Sequence, residues 1–390
     1  VATLHAAVLL LCRKLLYQHK KGGVMSNIPG ITFNPESIDR ARVVALPDNH
    51  MQTMTPPPKS VMVGTYPPDD PSWLRLDQTY PAQMRQRFDL LAHRPAWVLD
   101  RIDAPQVCAA EVELRDRVVS WLTTQHPGSF TRSGDTVTSS LTGIAVDVGP
   151  AGAAPMAAVA ALASEDFLLM LPSGKDAQGQ TVYRLKSGAL CFPNGWSLRS
   201  FFNKPEPPTR FVRKHEEWSM ARAESIISAR LGRSTYEIHQ GRVPQYEVHF
   251  ATGVDRMFSA MPAERVLWRR NWAPHMSPEL FRHADAHNLH DRDRMTQKSL
   301  LERGFIRSEH ETFVKLPHSG AIVFGIKTYL WPLREMLREP QVFNALATAA
   351  ANSTPQTREY QVGRIELLER LLTRHRKKSA PRLGAVQPPA

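Results

Sequence analysis

Cysteine is scarce in this chain of 390 residues, where Cys12, Cys108 and Cys191 are the only three. None falls in a CxxC or CxxCH pair, which excludes a zinc ribbon and covalently attached c-type haem, and three thiols make no disulfide framework. A reducing compartment, the cytoplasm, is the default. Long apolar runs are missing too. Residues 6–12 (Ala-Ala-Val-Leu-Leu-Leu-Cys) fall well short of the roughly 20 residues that span a bilayer. Followed by Arg13, Lys14, Lys20 and Lys21, this run has two readings. It is the tail of a membrane anchor whose beginning is missing, with its basic side cytosolic, or a frayed helix at an arbitrary start.

Phosphate-binding and hydrolase signatures are absent as well. There is no GxxxxGK(S/T) loop, GxSxG elbow or HExxH helix, and Gly149-Pro150-Ala151-Gly152 lacks the GxGxxG spacing. The net charge of +12 suits nucleic acid, an anionic surface or an acidic protein. The bases are scattered among acids, however, and no zinc-finger, helix-turn-helix or RNA-recognition pattern accompanies them, which argues against nucleic acid.

What is present indicates a loop-rich α+β chain, because 31 prolines outnumber 21 glycines while 42% of residues remain hydrophobic. Residues 1–58 read as the apolar segment and a proline-rich arm, stiffest at Pro56-Pro57-Pro58, and a domain follows over 59–376. Structure proper is expected from Trp73. Met84, Phe88 and Leu91, then Leu114, Val118 and Trp121, recur at helical spacing, and an alanine-rich helix is expected over 156–163. Short strands are expected at 136–138 and 144–148, with two more, 183–186 and 189–192, around a Ser187-Gly188 turn. Residues 305–316 and 321–330 read as a hairpin joined by Pro317-His318-Ser319-Gly320. In its first strand Arg307, Glu309 and Glu311 share a face, which is either solvated surface or the polar wall of a pocket; residue pattern alone favours the surface. In the second, Ile322, Phe324, Ile326 and Leu330 face one way, Lys327 and Tyr329 the other. Residues 360–376 form an amphipathic helix, and the basic tail 377–390 is expected to be disordered. His283, His287 and His290 have i, i+4, i+7 spacing, but aspartates and arginines surround them, so a solvated helix or loop is favoured over a metal site.

Several stretches, in this order, resemble the haem-dependent oxidative N-demethylase-like family. They are Trp73-Leu74-Arg75-Leu76-Asp77 with Tyr80, Glu165 to Leu169, Cys191-Phe192-Pro193 with Trp196, and Ile238-His239 with Val243-Pro244-Gln245-Tyr246. Arg270-Asn271-Trp272, Arg307-Ser308-Glu309 through Leu316-Pro317, and Phe324 to Tyr329 close the series. The resemblance implies a PAS-like antiparallel sheet core, wrapped by helices, that holds haem b and uses its iron to oxidise small amines. The chain departs from the pattern at 201–229, a polar extra piece that reads as a surface insertion or a translated intron.

The resemblance also assigns roles. His239, in the IH…VP motif, is the expected axial ligand of the iron. Cys191 is the rival, better read as a buried structural thiol. Arg269, Arg270 and Arg307 are candidates for the haem propionates. Glu309 is the candidate for delivering protons or holding an amine cation, with Lys327 and Tyr329 as further pocket candidates. Relatives carry an ERQ-like triplet where this chain has Glu309-His310-Glu311, a departure that bears on substrate choice. Trp196, Trp268 and Trp272 are expected in the core. The implied reaction is dioxygen-dependent oxidation of a C–H bond beside nitrogen, whose carbinolamine collapses to aldehyde and demethylated amine. A related tailoring oxidation of another small metabolite is a variant of this reading, and a non-catalytic haem- or ligand-binding PAS-like sensor is the alternative. With no flavin or nicotinamide motif, electrons are expected from a separate reductase, and the positive charge suits an acidic one.

Overall fold

The fold is taken from a computed structural model, which describes residues 28–32, 64–66, 73–199, 229–240, 251–263, 265–283, 295–361 and 363–379. In chain order the first elements are β1 (Ile31–Thr32), β2 (Gly64–Tyr66), α1 (Tyr80–His93), α2 (Pro95–Val98), β3 (Leu99–Arg101) and α3 (Pro105–Gln125). Then come β4 (Phe130–Ser133), β5 (Thr136–Ser139), β6 (Ile144–Asp147), α4 (Pro155–Leu162), β7 (Asp166–Lys175), β8 (Thr181–Ala189) and β9 (Asn194–Trp196). Two short helices, α5 (Thr235–His239) and α6 (Ala251–Ala260), precede β10 (Val266–His275), β11 (Arg282–His283) and α7 (Gln297–Arg303). The hairpin β12 (Phe305–Lys315) and β13 (Ile322–Pro332) leads into α8 (Leu333–Met336), α9 (Pro340–Ala351), α10 (Pro355–Gln361) and α11 (Arg364–Ser379).

A seven-stranded sheet in the order β2-β10-β12-β13-β7-β8-β3 is antiparallel throughout, so the architecture is α+β. A smaller sheet, β1-β6-β5-β4, lies beside it. Helices form where proline sets the first turn and apolar residues repeat behind it. In α1, Pro81 follows Tyr80, and Tyr80, Met84, Phe88 and Leu91 are buried. α4 is buried on every side, which its sequence Pro-Met-Ala-Ala-Val-Ala-Ala-Leu permits because it carries no polar side chain. The β12–β13 hairpin has the expected loop. Gly320 takes a positive φ of 66°, Leu316 N–H donates to Ala321 O, and the Glu113 carboxylate on α3 accepts the N–H groups of His318 and Ser319 at 2.7 and 2.9 Å.

Three apolar clusters follow from this layout. One lies between the large sheet and α1, α3 and α4, drawing Phe167, Leu169, Val314 and Val323 from the sheet. A second lies on the opposite face, where Leu168, Met170, Phe313, Ile322 and Ile326 meet Ile238 of α5 and Phe258 of α6. The third packs α7 to α11 against Ile306, Tyr329 and Trp331.

Three readings of the sequence are corrected here, whereas the proline-rich arm does meet the domain, β1 within it pairing with β6. Ser187-Gly188 is no turn; both lie inside β8, and Gly188 is needed because a Cβ there would meet Leu168 and Leu198 Cδ2 at 2.9 Å each. The helix expected over 360–376 is two helices, α10 and α11, separated near Gly363 with its φ of 77°. Finally, α11 continues to Ser379, so the basic tail begins in helix. Among the described residues no helix is long and apolar enough to cross a membrane; residues 6–12 and the insertion at 201–228 lie outside them.

Candidate functional site

Side chains alternate along β12 and β13, and register fixes which of them share a face. Glu309 lies opposite Asn271 and Thr328, and Glu311 opposite Arg269 and Ile326, so these residues and Arg307 line the face covered by α5 and α6. Ser308, His310 and Thr312 point the other way, with Tyr329, Lys327 and Gly325, toward α1 and α4. Two polar clusters result, back to back.

On the α5–α6 face the expected solvated surface is overturned: Arg307 is 2% and Glu311 7% exposed. Arg307 acts as a clasp. Its Nε donates to Glu309 Oε1 at 3.1 Å, one terminal nitrogen to Leu280 O at 3.3 Å, and the other to Phe192 O at 2.7 Å and Thr328 Oγ1 at 3.4 Å. Asn271 Nδ2 donates to the second oxygen of Glu309 at 3.2 Å, so this carboxylate is gripped from two strands. Glu311 pairs with Arg269 Nε at 2.7 Å. Burial pushes the Glu311 carboxyl up to about 7, against the pull of Arg269; Glu309 pushes it the same way and Arg230 opposes. Arg230 itself lies over the Trp196 ring, 4.2 Å from its centre. The floor is apolar, with Phe313 and Phe324 stacked at 4.8 Å.

His239 ends α5 and is half-buried. A capping box between Ser234 and Glu237 starts the helix, and Ile238 anchors it in the apolar cluster of this face. His239 Nδ1 lies 2.7 Å from Thr235 O. A carbonyl only accepts, so Nδ1 carries a proton, as it commonly does in histidines that bind metal through Nε2. Val243 to Tyr246 of the same motif lie outside the described residues.

The α1–α4 face holds the second cluster. Lys327 is fully buried; its Nζ donates to Ser164 Oγ at 2.6 Å and stands 4.0 Å from Asp77. Tyr329 OH donates to Asp77 Oδ2 at 2.5 Å. Burial alone would raise the Asp77 carboxyl, but Lys327 and hydrogen bonds from Thr79 and Tyr329 bring it below the usual range. Burial lowers the Lys327 ammonium in spite of Asp77 and Glu165, and burial followed by Asp77 raises the Tyr329 phenol. Glu165 is raised by burial against the pull of Lys327, accepts Arg75 N–H at 2.7 Å, and has its other oxygen buried without a hydrogen bond. Asp166 connects the clusters. It accepts Arg87 at 2.7 Å and the N–H groups of Cys191 and Phe192 at 2.7 and 2.8 Å, while Arg307 holds the Phe192 carbonyl.

Sequence reasoning therefore gathered residues that the fold divides. Glu309, Arg269, Arg307 and α5 with His239 share one face; Lys327 and Tyr329 are on the other, as is Arg270, which pairs with His310 and lies over Trp268. Arg307 is occupied by protein acceptors on all three nitrogens. Cys191 is buried and its thiol is pushed up to about 12 by burial, so it is a structural thiol. Trp196 is buried, whereas Trp268 and Trp272 are half-buried. His283 is neither helical nor solvated: it is fully buried in β11, against Trp97 at 4.8 Å, while His287 and His290 lie outside the described residues. Asp77, Ser164 and Glu165 went without a role, although Ser164-Glu165-Asp166 directly before the unbroken apolar run of β7 was a legible signal for buried charge. A separate cleft of about 300 Å³, lined by Arg303, Arg334, Glu335 and Arg338 among others, opens at the far end of the hairpin.

The profile of the family described as haem-dependent oxidative N-demethylase, alpha subunit-like, matches residues 65–206 and 222–365. Together these segments cover well over half of the chain, and the break between them falls inside the 201–229 stretch. No curated protein matches the chain.

Proposed function

The chain belongs to the haem-dependent oxidative N-demethylase alpha-subunit-like family, and from that premise we propose that it is an oxidoreductase that holds haem b against the α5–α6 face of a PAS-like sheet and demethylates a small amine. The observation that carries this is the polar row Arg307, Glu309 and Glu311 with Arg269 and Asn271, on the same sheet face as the apolar cluster that Ile238 of α5 joins. The residues present fit haem. His239 has Nδ1 engaged with a backbone carbonyl, as an axial ligand commonly has, the face carries stacked aromatics, and Arg269 brings a partly exposed basic side chain suited to a propionate. Arg307 is better read as the residue that fixes Glu309 than as a propionate ligand.

When bound, haem supplies dioxygen activation and the oxidation of a C–H bond. The protein's part is orientation and charge. Glu309, held by Arg307 and Asn271, presents a carboxylate of fixed direction that attracts a substituted ammonium and can accept its proton. Phe313, Phe324 and Ile326 keep the face poor in water, which strengthens that attraction. Electrons come from a separate reductase, and the charge of +12 favours an acidic one.

The test is a visible spectrum of the purified chain before and after hemin and dithionite. A stoichiometric Soret band that shifts on reduction and is altered in His239→Ala is expected, followed by amine-dependent oxygen uptake with a reductase. No band after reconstitution overturns the cofactor reading, and full haem occupancy with an unchanged band in His239→Ala overturns the ligand.

A further inference from the structure

Glu311 and Arg269 do something the roles above leave unexplained. Glu311 is almost wholly buried and pairs with Arg269, whose Nε lies 2.7 Å from it, while the arginine side chain stays 35% exposed. A buried acid is thus paired with a cation that solvent reaches, and a guanidinium can receive a second carboxylate beside the first. Glu311 also has a like charge close by, because Glu309 is two residues along on the same face of β12. The remaining neighbours are fixed by register: β13 offers Ile326 opposite Glu311, β10 offers Arg269, and Arg230 contributes a further positive charge.

We infer that Arg269 is a carboxylate-binding position whose occupation is coupled to uptake of one proton by Glu311, so that this face selects an anionic ligand together with a proton. A carboxylate arriving at Arg269 adds a negative charge beside the one that guanidinium already holds. Glu311, in a poorly hydrated setting, relieves this by taking a proton from solvent. The coupling is thermodynamic and reciprocal: a ligand that favours protonated Glu311 is itself favoured by low pH. The Glu311 carboxyl already titrates near 7 without a ligand, so the effect falls in the physiological range. The inference rests on the reading of this face as the haem side, where the carboxylate would be a propionate.

The experiment is a Soret titration of the full chain with hemin at pH 6, 7 and 8.5, repeated with hemin dimethyl ester and with Glu311→Gln. For the unmodified chain, hemin affinity should weaken by about tenfold between pH 7 and 8.5, since each proton coupled gives at most tenfold per pH unit. The dimethyl ester, which has no carboxylate, should bind with little pH dependence, and Glu311→Gln should bind hemin equally at all three pH values. The ester comparison needs no variant, so it decides the matter even if the substitution fails to fold. Hemin that binds with the same affinity at every pH, or an ester or Glu311→Gln that keeps the full slope, overturns the coupling and leaves the haem reading intact. No Soret band with hemin or ester at any pH overturns the haem reading and the inference with it.

Discussion

Replacing Arg307 with alanine should cost the fold heavily. The guanidinium reaches Glu309, Phe192 O, Leu280 O and Thr328 Oγ1, and is 2% exposed. Alanine leaves two buried carbonyls without donors, each worth ~1–3 kcal/mol, and strips a largely buried carboxylate of its cation. Losses of ~3–5 kcal/mol are usual when one member of a buried pair is removed, and the same range is expected here. Urea unfolding of the full chain measures it directly, as a fall in the midpoint at unchanged m. Arg307→Lys keeps the charge but cannot serve three directions with one ammonium, so about half the loss should remain. A loss below ~1 kcal/mol for alanine would refute the reasoning, because it would mean the Cys191-Phe192 turn and β12 hold together without the clasp.

Lys327→Met, similar in shape, removes the cation beside Asp77 and Glu165 and should destabilise by ~3 kcal/mol, read by the same unfolding curves; an unchanged midpoint would contradict a charged Lys327 in the fold. Glu311 keeps its proton up to about 7 when folded but only to the usual 4.5 when unfolded, so its contribution is present below 4.5 and lost as pH rises to 7. Between those limits the unmodified chain should therefore lose ~3 kcal/mol more stability than Glu311→Gln, and parallel stability profiles would show the shift to be absent. Cys108 and Cys191 are buried, and in a Cys12→Ser chain neither should react with a thiol reagent until urea unfolds the protein; rapid native labelling would contradict their burial.

Much of the fold was legible because strands and helices repeat at fixed periods. The opposite facing of Ile326 and Lys327, and the common face of Arg307, Glu309 and Glu311, follow from a period of two and needed no structure. What a period cannot say is which face is covered. Arg307 and Glu311 resemble solvated charge until the Phe192 and Leu280 carbonyls close on Arg307 and Arg230 comes near Glu311, and those contacts span more than a hundred residues in the case of Phe192. Gly188 misled for a related reason: glycine permits a turn, but it also permits close packing, and only the neighbouring Leu168 and Leu198 decide between the two. The residues around Lys327 were named as motif members, yet their meeting depends on β13, α1 and the turn before β7 coming together.

The two clusters ride on one hairpin, and this makes parity a property of the gene. Deleting a single codon within β12 between Glu311 and Leu316 would turn Arg307, Glu309 and Glu311 toward α1 and send His310 to the other side, while the Glu113 grip on His318 and Ser319 holds the tip where it is. Length changes in this stretch are therefore expected to occur in pairs among functioning descendants, because even numbers preserve which charges each side receives and odd numbers exchange them.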